Sequence, residues 1–252
     1  MILKKYIVNI RDSFVRKQNI YFGGKDYTKF IVITRSRTGS NLLMSLLDSH
    51  PNIIAKGELF RSLDDKSCKE VWDNTFTNMP KNVKYFGFKI FYYHPLDSED
   101  KEIWNYIKMD KNIRLIHLTR QNMLKTIVSR EIADKTNIWA NNRGNDIHIN
   151  DKRVEMDLDY CLNEFEITQE SENKTRNEFN RDFFMELSYE DLIRDNQKMM
   201  NKVFNFLEIK ESVVKSSYKK QNKEKMEDLI INYKELKKSL KKTKWSYLLK
   251  LN

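Results

Sequence analysis

Residues 34–41 read Thr34-Arg35-Ser36-Arg37-Thr38-Gly39-Ser40-Asn41, a run of donors and cations set between two apolar stretches. Side chains of these types suit the holding of a multiply charged anion. Successive backbone N–H groups and a helix N-terminus concentrate positive potential at one point. Arg35 and Arg37 add full charges, while Thr38, Ser40 and Asn41 add side-chain donors. Gly39 permits either a backbone angle that other residues resist or a close approach by phosphate. The run has one glycine and lacks the Gly-Lys-Ser/Thr ending that sets a lysine on terminal phosphates and a hydroxyl on Mg²⁺. An ATPase or a metal-dependent nucleotide kinase is therefore disfavoured. A capped helix with two solvated arginines is the plainer alternative, but so many donors around one glycine favour the anion site.

Other residues carry compatible chemistry. Arg120 and Ser129, nine positions apart, suit a second phosphate through a guanidinium fork and one hydroxyl. Glu58, in Lys56-Gly57-Glu58-Leu59-Phe60, is a carboxylate able to accept a proton from a hydroxyl within hydrogen-bond reach. His50, before Pro51, is a competing base or the end of a helix that proline stops. Lys89 sits in an apolar strand, where it either pairs with a phosphate or carboxylate or reaches solvent near the strand end. His94 is expected at the surface. The basic turn holding Lys219 and Gln221 either approaches a nucleotide or is a solvated turn before an amphipathic helix.

The elements that must position these residues follow from periodicity. Residues 30–34, 84–91, 113–119 and 183–188 are apolar runs that predict strands, the first buried on both faces as in a parallel sheet. Helical spacing predicts helices over 40–49, 122–133 and 191–207. Strand and helix alternate, which predicts an α/β fold with a parallel central sheet flanked by helices and right-handed crossovers. Residues 136–182 are polar, show no clear period and are expected to form an insert that lids the site. No linker divides residues 1–252, so a single domain is expected.

The stretch FIVITRSRTGSNLLMSLLDSHPNIIAKGELF resembles the phosphosulfate-binding region of sulfotransferases, particularly the bacterial carbohydrate branch that includes trehalose and nodulation-factor sulfotransferases. That resemblance covers most of 30–135 and 183–245 and implies a P-loop NTPase-like sulfotransferase fold. It implies the donor 3′-phosphoadenosine 5′-phosphosulfate, with the 5′-phosphosulfate on the loop from Arg37 to Asn41. By the same resemblance Arg120 and Ser129 hold the 3′-phosphate, and Glu58 looks like the general base. Arg37 stands where many members carry lysine. Its guanidinium stabilises negative charge but does not donate a proton at working pH, which leaves it an electrostatic role. The spacing from Arg120 to Ser129 is one longer than in the animal cytosolic branch, and the glycine-bearing nucleotide motif of that branch is absent. A hydroxyl of a carbohydrate or a lipid-linked sugar is the expected acceptor.

Bulk composition sets outer bounds. In 252 residues, Lys and Arg outnumber Asp and Glu by 46 to 36, giving a net charge of +10 that suits an anionic ligand, a nucleic acid or an acidic membrane surface. A basic nucleic-acid-binding module is the rival reading, but no groove-reading motif appears and such a module does not need the 34–41 run. No residues carry metal-ligand spacing, and Cys68 and Cys161 are expected to be reduced. The opening segment is too short for a signal-peptide core with its cleavage site, and no run approaches the roughly 20 apolar residues of a membrane span. A cytoplasmic location is expected.

Overall fold

A computed structural model of the chain describes residues 23–139, 152–179, 182–216 and 224–251. Its centre is β1, Thr28–Thr34, whose Phe30 to Ile33 side chains are completely buried. Around it stand β2 (Ile53–Lys56), β3 (Tyr85–Phe91), β4 (Arg114–Thr119) and β5 (Phe184–Ser188), in the order β2-β3-β1-β4-β5. All four pairings are parallel. The chain moves from β1 to one side of the sheet and then crosses to the other, so the carboxyl end of β1 lies at the point where strand order reverses. Open α/β sheets bind ligands at that point.

Alternation along the strands divides the core into two faces. Phe30, Val32, Ile116 and Leu118 pack beneath α1 (Ser40–Asp48), through Leu43, Leu46 and Leu47. Ile31, Ile33, Phe88, Ile90 and Leu115 face the opposite layer. Gly87 lies opposite Phe30 in the ladder, and a Cβ there would come within 2.1 Å of the Phe30 carbonyl oxygen. The bare position lets the Phe30 ring lie against β3.

The elements predicted from periodicity are present with shifted ends, and three corrections are needed. First, β2 and α2 (Cys68–Thr75) went unread, although Ser67 and Glu70 form a complete capping box at the start of α2. Second, the expected helix over 191–207 is two helices, α6 (Tyr189–Arg194) and α7 (Asn196–Phe206), numbered after α3 (Ile103–Met109), α4 (Met123–Thr136) and α5 (Leu158–Phe179). Asp195 takes extended backbone angles there, and its carboxylate caps Lys198 N–H. Third, the aperiodic stretch contains α5, a 22-residue helix. Its buried positions Cys161, Phe165, Thr168, Glu172, Thr175 and Phe179 repeat at spacings of four and three, but half are polar and invisible to a hydrophobic scan.

Helix α5 is tied to the sheet by polar groups. Tyr92 Oη lies 2.7 Å from His117 Nε2, and His117 Nδ1 lies 3.0 Å from Glu186 Oε2. Arg176 of α5 bridges Glu186, at 2.7 Å, and Glu172, at 3.2 Å. The hydrogen bond from His117, together with Arg176, holds Glu186 down at about 2, whereas burial pushes Glu172 up to about 7 against the pull of Arg176. A raised folded-state carboxyl pKa contributes stability below about 4.5 that is lost as pH rises to about 7. Glu172→Gln removes that loss. Its Tm relative to the parent protein is expected to rise between pH 5 and pH 8, by the equivalent of about 1–3 kcal/mol. Calorimetry of both proteins at the two pH values checks this, and a difference independent of pH would contradict it.

The chain after α7 includes α8 (Met226–Leu229), α9 (Tyr233–Leu240) and a 3₁₀ helix, Lys244–Leu249. These cover α4 and α5 with Leu236, Leu240, Trp245 and Leu248. Among the described residues no helix is long and apolar enough to cross a membrane.

Candidate active site

The loop leaving β1 is closed by its own hydroxyls. Thr34 Oγ1 donates to the Leu118 carbonyl at 2.6 Å, and Thr38 Oγ1 lies 2.6 Å from Thr34 Oγ1 and 2.7 Å from the Arg35 carbonyl oxygen. Thr38 therefore shapes the loop through its side chain. Gly39 caps α1 at φ +85, with no side-chain cap and no acidic residue in the first helical turn. A helix start of this kind presents uncancelled N–H groups.

Arg35 and Arg37, adjacent in role on the sequence, part company. The buried Arg35 guanidinium turns to α5, where it meets the Glu164 carboxylate and the Thr168 hydroxyl and donates to the Glu164 carbonyl at 3.1 Å. Arg37 adopts φ +66 and turns the other way. Its Nε donates to Ser129 Oγ at 2.9 Å and its Nη1 to the Trp139 carbonyl at 2.6 Å. Burial, reinforced by Arg120, lowers its pKa to about 10, which leaves it charged at neutral pH.

Arg120 follows β4 and donates to the Arg37 carbonyl at 2.9 Å, with its guanidinium 4.7 Å from the centre of the Tyr189 ring. Its Nε is buried with no hydrogen-bond partner among the described residues. A buried unpaired guanidinium N–H is costly, and an anion in the same place removes that cost. Tyr189 lies between Arg120 and the loop: a Cβ on Gly39 would sit 2.2 Å from Tyr189 Cδ2. Thus Arg37, Gly39, Arg120 and Ser129 converge at one end of α1.

The other half of the site comes from the neighbouring strands. Lys89 N–H donates to the Gly57 carbonyl at 3.2 Å, continuing the β2–β3 pairing one step and setting Glu58 beside Lys89. Lys89 Nζ is 3.0 Å from Glu58 Oε1 and 3.5 Å from Ser40 Oγ, and it also bonds Asn41 Oδ1. Burial lowers the Lys89 pKa, an effect that Glu58 opposes. Glu58 itself remains about a quarter exposed, so its carboxylate is reachable from solvent. Lys89 links the carboxylate to the start of α1, resolving the two readings of this lysine in favour of a carboxylate partner.

Two histidines take other places. His94 is 1% exposed, which corrects its expected surface location, and Nε2 stands 3.8 Å from Glu58 Oε2. The sequence offered no periodic signal for it, since it follows the end of β3. His50 is buried at the end of α1, with Nδ1 accepting from Asn52 N–H at 3.1 Å and Nε2 at 2.9 Å from the Lys210 carbonyl. Tyr189 was also missed as a wall of the site; it opens α6, two residues before the helix expected from 191. Lys219, Gln221 and residues 140–151 and 180–181 of the expected lid lie outside the described residues. Among the described residues no group of three or more His, Cys, Asp or Glu is placed to hold a metal ion.

Residues 106–212 match the family model described as "Sulfotransferase family". The chain is 25% identical over 194 residues to Nodulation protein H of Rhizobium tropici, covering 71% of this chain and 74% of the relative. It is 25% identical over 191 residues to Nodulation protein H of Rhizobium meliloti strain 1021, covering 71% and 76%. The fold is similar to the crystal structure of a sulfotransferase from Alicyclobacillus acidocaldarius, with a TM-score of 0.53 at 12% identity over 84% of this chain and 88% of that one. The matched span contains Arg120, Ser129 and Tyr189 but not the loop after β1.

Proposed function

We propose that the chain is a sulfotransferase, supported by its similarity to that family's model over residues 106–212 and to Nodulation protein H, and that it moves a sulfuryl group from 3′-phosphoadenosine 5′-phosphosulfate to a hydroxyl of a carbohydrate or glycolipid. The observation that carries this reading is the chain of contacts Glu58–Lys89–Ser40, which joins a reachable carboxylate to the anion-binding start of α1. Glu58 accepts the hydroxyl proton as the acceptor oxygen bonds to sulfur. The bond from sulfur to the bridging oxygen breaks, and the electron pair leaves with the 5′-phosphate. Charge grows on that phosphate beside Lys89, Arg37, Ser40 and the N-terminal end of α1, where preorganised donors are most effective.

Arg120 and Ser129 are suited to the second phosphate of the donor, with the unpaired Arg120 Nε as the supporting observation. In this reading Arg35 supports the loop from behind. Its charge is matched by Glu164, so it steers α5 onto the loop more than it contacts the donor. The acceptor class rests on the sequence resemblance and on the exposure of Glu58.

Thermal unfolding distinguishes this reading from a nucleic-acid module. At a hundred times its dissociation constant, adenosine 3′,5′-bisphosphate is expected to raise Tm by about 5–10 °C. A single-stranded oligonucleotide of equal phosphate concentration is expected to do much less. The reverse order of protection would overturn the donor assignment. Transfer of labelled sulfate to a panel of glycans and glycolipids tests the acceptor, and labelling confined to non-sugar alcohols or phenols would refute the carbohydrate class.

A further inference from the structure

The loop that carries Glu58 is laced to residues 94–97. Leu96 N–H donates to the Arg61 carbonyl at 2.8 Å, and Asp97 accepts from Leu63 N–H at 2.8 Å and from Asp64 N–H at 3.0 Å. His94 begins this brace. Its ring is held between Phe91, with centroids 4.7 Å apart, and Tyr93, at 5.3 Å, while its carbonyl accepts from Trp104 Nε1–H at 3.3 Å. Nδ1 accepts from Phe91 N–H at 3.3 Å. A neutral ring that accepts at Nδ1 carries its proton on Nε2. That N–H lies on the side of Glu58 Oε2, the oxygen opposite the one bonded to Lys89.

We infer that His94 is a positioning residue for the base: its Nε2–H orients Glu58 Oε2, so that the carboxylate held by Lys89 on one oxygen presents the other to the acceptor hydroxyl. This inference rests on Glu58 as the base. The separation of 3.8 Å exceeds a hydrogen bond, and catalytic contacts of this kind shorten in the reacting complex. The groups bearing on the ring are Glu58, Arg61, Lys89 and Lys101. Burial, with the three cations opposing Glu58, lowers the His94 pKa to about 4, so the ring is neutral through the working range. His94 is thereby a donor to Glu58 and not a second base, because Nδ1 is engaged by Phe91 and Nε2 already bears hydrogen.

Two substitutions separate the two nitrogens. His94→Asn keeps a group near Nδ1 to accept from Phe91 and removes the donor facing Glu58. His94→Gln extends an amide N–H toward the Nε2 position. An N–H donor stabilises the ionised carboxylate, so its loss disfavours the form that accepts the proton. In His94→Asn the acid limb of kcat is expected to move up by about one pH unit, and kcat to fall on the order of 10–100-fold. Thermal protection by adenosine 3′,5′-bisphosphate is expected to stay as in the parent protein. His94→Gln is expected to return the limb toward its original position. If both variants fold and the limb stays put in each, the positioning role is wrong. If instead Glu58→Gln retains turnover, the base assignment fails, whatever His94 does. If His94→Asn does not fold, the limb in His94→Gln decides: a parental limb supports the inference, and an upward shift overturns it.

Discussion

Glu58→Gln is expected to cut turnover by about 10²–10⁴-fold while leaving the affinity for adenosine 3′,5′-bisphosphate almost unchanged. The range is that of general-base catalysis by a single positioned side chain. The amide keeps the volume and an acceptor oxygen but does not take a proton. Donor affinity is spared because Arg37, Arg120 and Ser129 make their contacts with one another and not with Glu58, whose carboxylate is bonded to Lys89. The substitution has a second consequence through Lys89, whose charge is supported by Glu58 against burial. Without the carboxylate, Lys89 loses its ion-pair partner and one of the contacts that fix its ammonium beside Ser40. Glu58→Gln and Lys89→Met are therefore expected to be non-additive, with the double variant little worse than the poorer single one. Single-turnover transfer measures both points. Turnover within about twofold of the parent protein would remove Glu58 from the mechanism.

Gly39→Ala is expected to abolish protection by the bisphosphate and to lower Tm by about 5–10 °C, a large effect for one methyl group. Two terms combine. Alanine resists the left-handed conformation that φ +85 requires, at a cost of about 1–2 kcal/mol. Its Cβ would also stand 2.2 Å from Tyr189 Cδ2 and 2.6 Å from Cε2, far inside contact distance. The ring has little freedom to retreat, because the Arg120 guanidinium packs on it. Displacing Tyr189 therefore disturbs Arg120, and the strain passes from the loop to the second phosphate position. Tyr189→Ala in the Gly39→Ala background is expected to recover part of the lost stability by relieving the contact, but not the backbone term. Bisphosphate binding of undiminished strength in Gly39→Ala would show that the loop does not hold the donor.

What the sequence determined by itself was local. The run from Thr34 to Asn41 compresses a strand end, a left-handed glycine and a helix start into eight residues, so its suitability for an anion is an expectation that needs no fold. The parallel sheet was legible for a similar reason, since Phe30–Ile33 is a continuous apolar stretch and Leu115, Ile116 and Leu118 are interrupted only by His117, all of them buried. Glu58 was legible only as a residue type near that loop.

Tertiary structure decided how the charges are shared. Arg35 and Arg37 look equivalent in the chain, but α5 brings Glu164 to one and α4 brings Ser129 to the other. Lys89 acquires its partner because parallel pairing of β2 with β3 lays Gly57 against it. His94 is buried because the Glu58 loop folds over it, an event that no periodicity records. Helix α5 escaped notice because Thr168, Glu172 and Thr175 occupy core positions, where Arg35 meets the Thr168 hydroxyl and the helix's own Arg176 and Ser171 carbonyl meet Glu172 and Thr175. Pairwise contacts between distant segments are set by packing, and packing is what a linear pattern of apolar residues leaves unspecified.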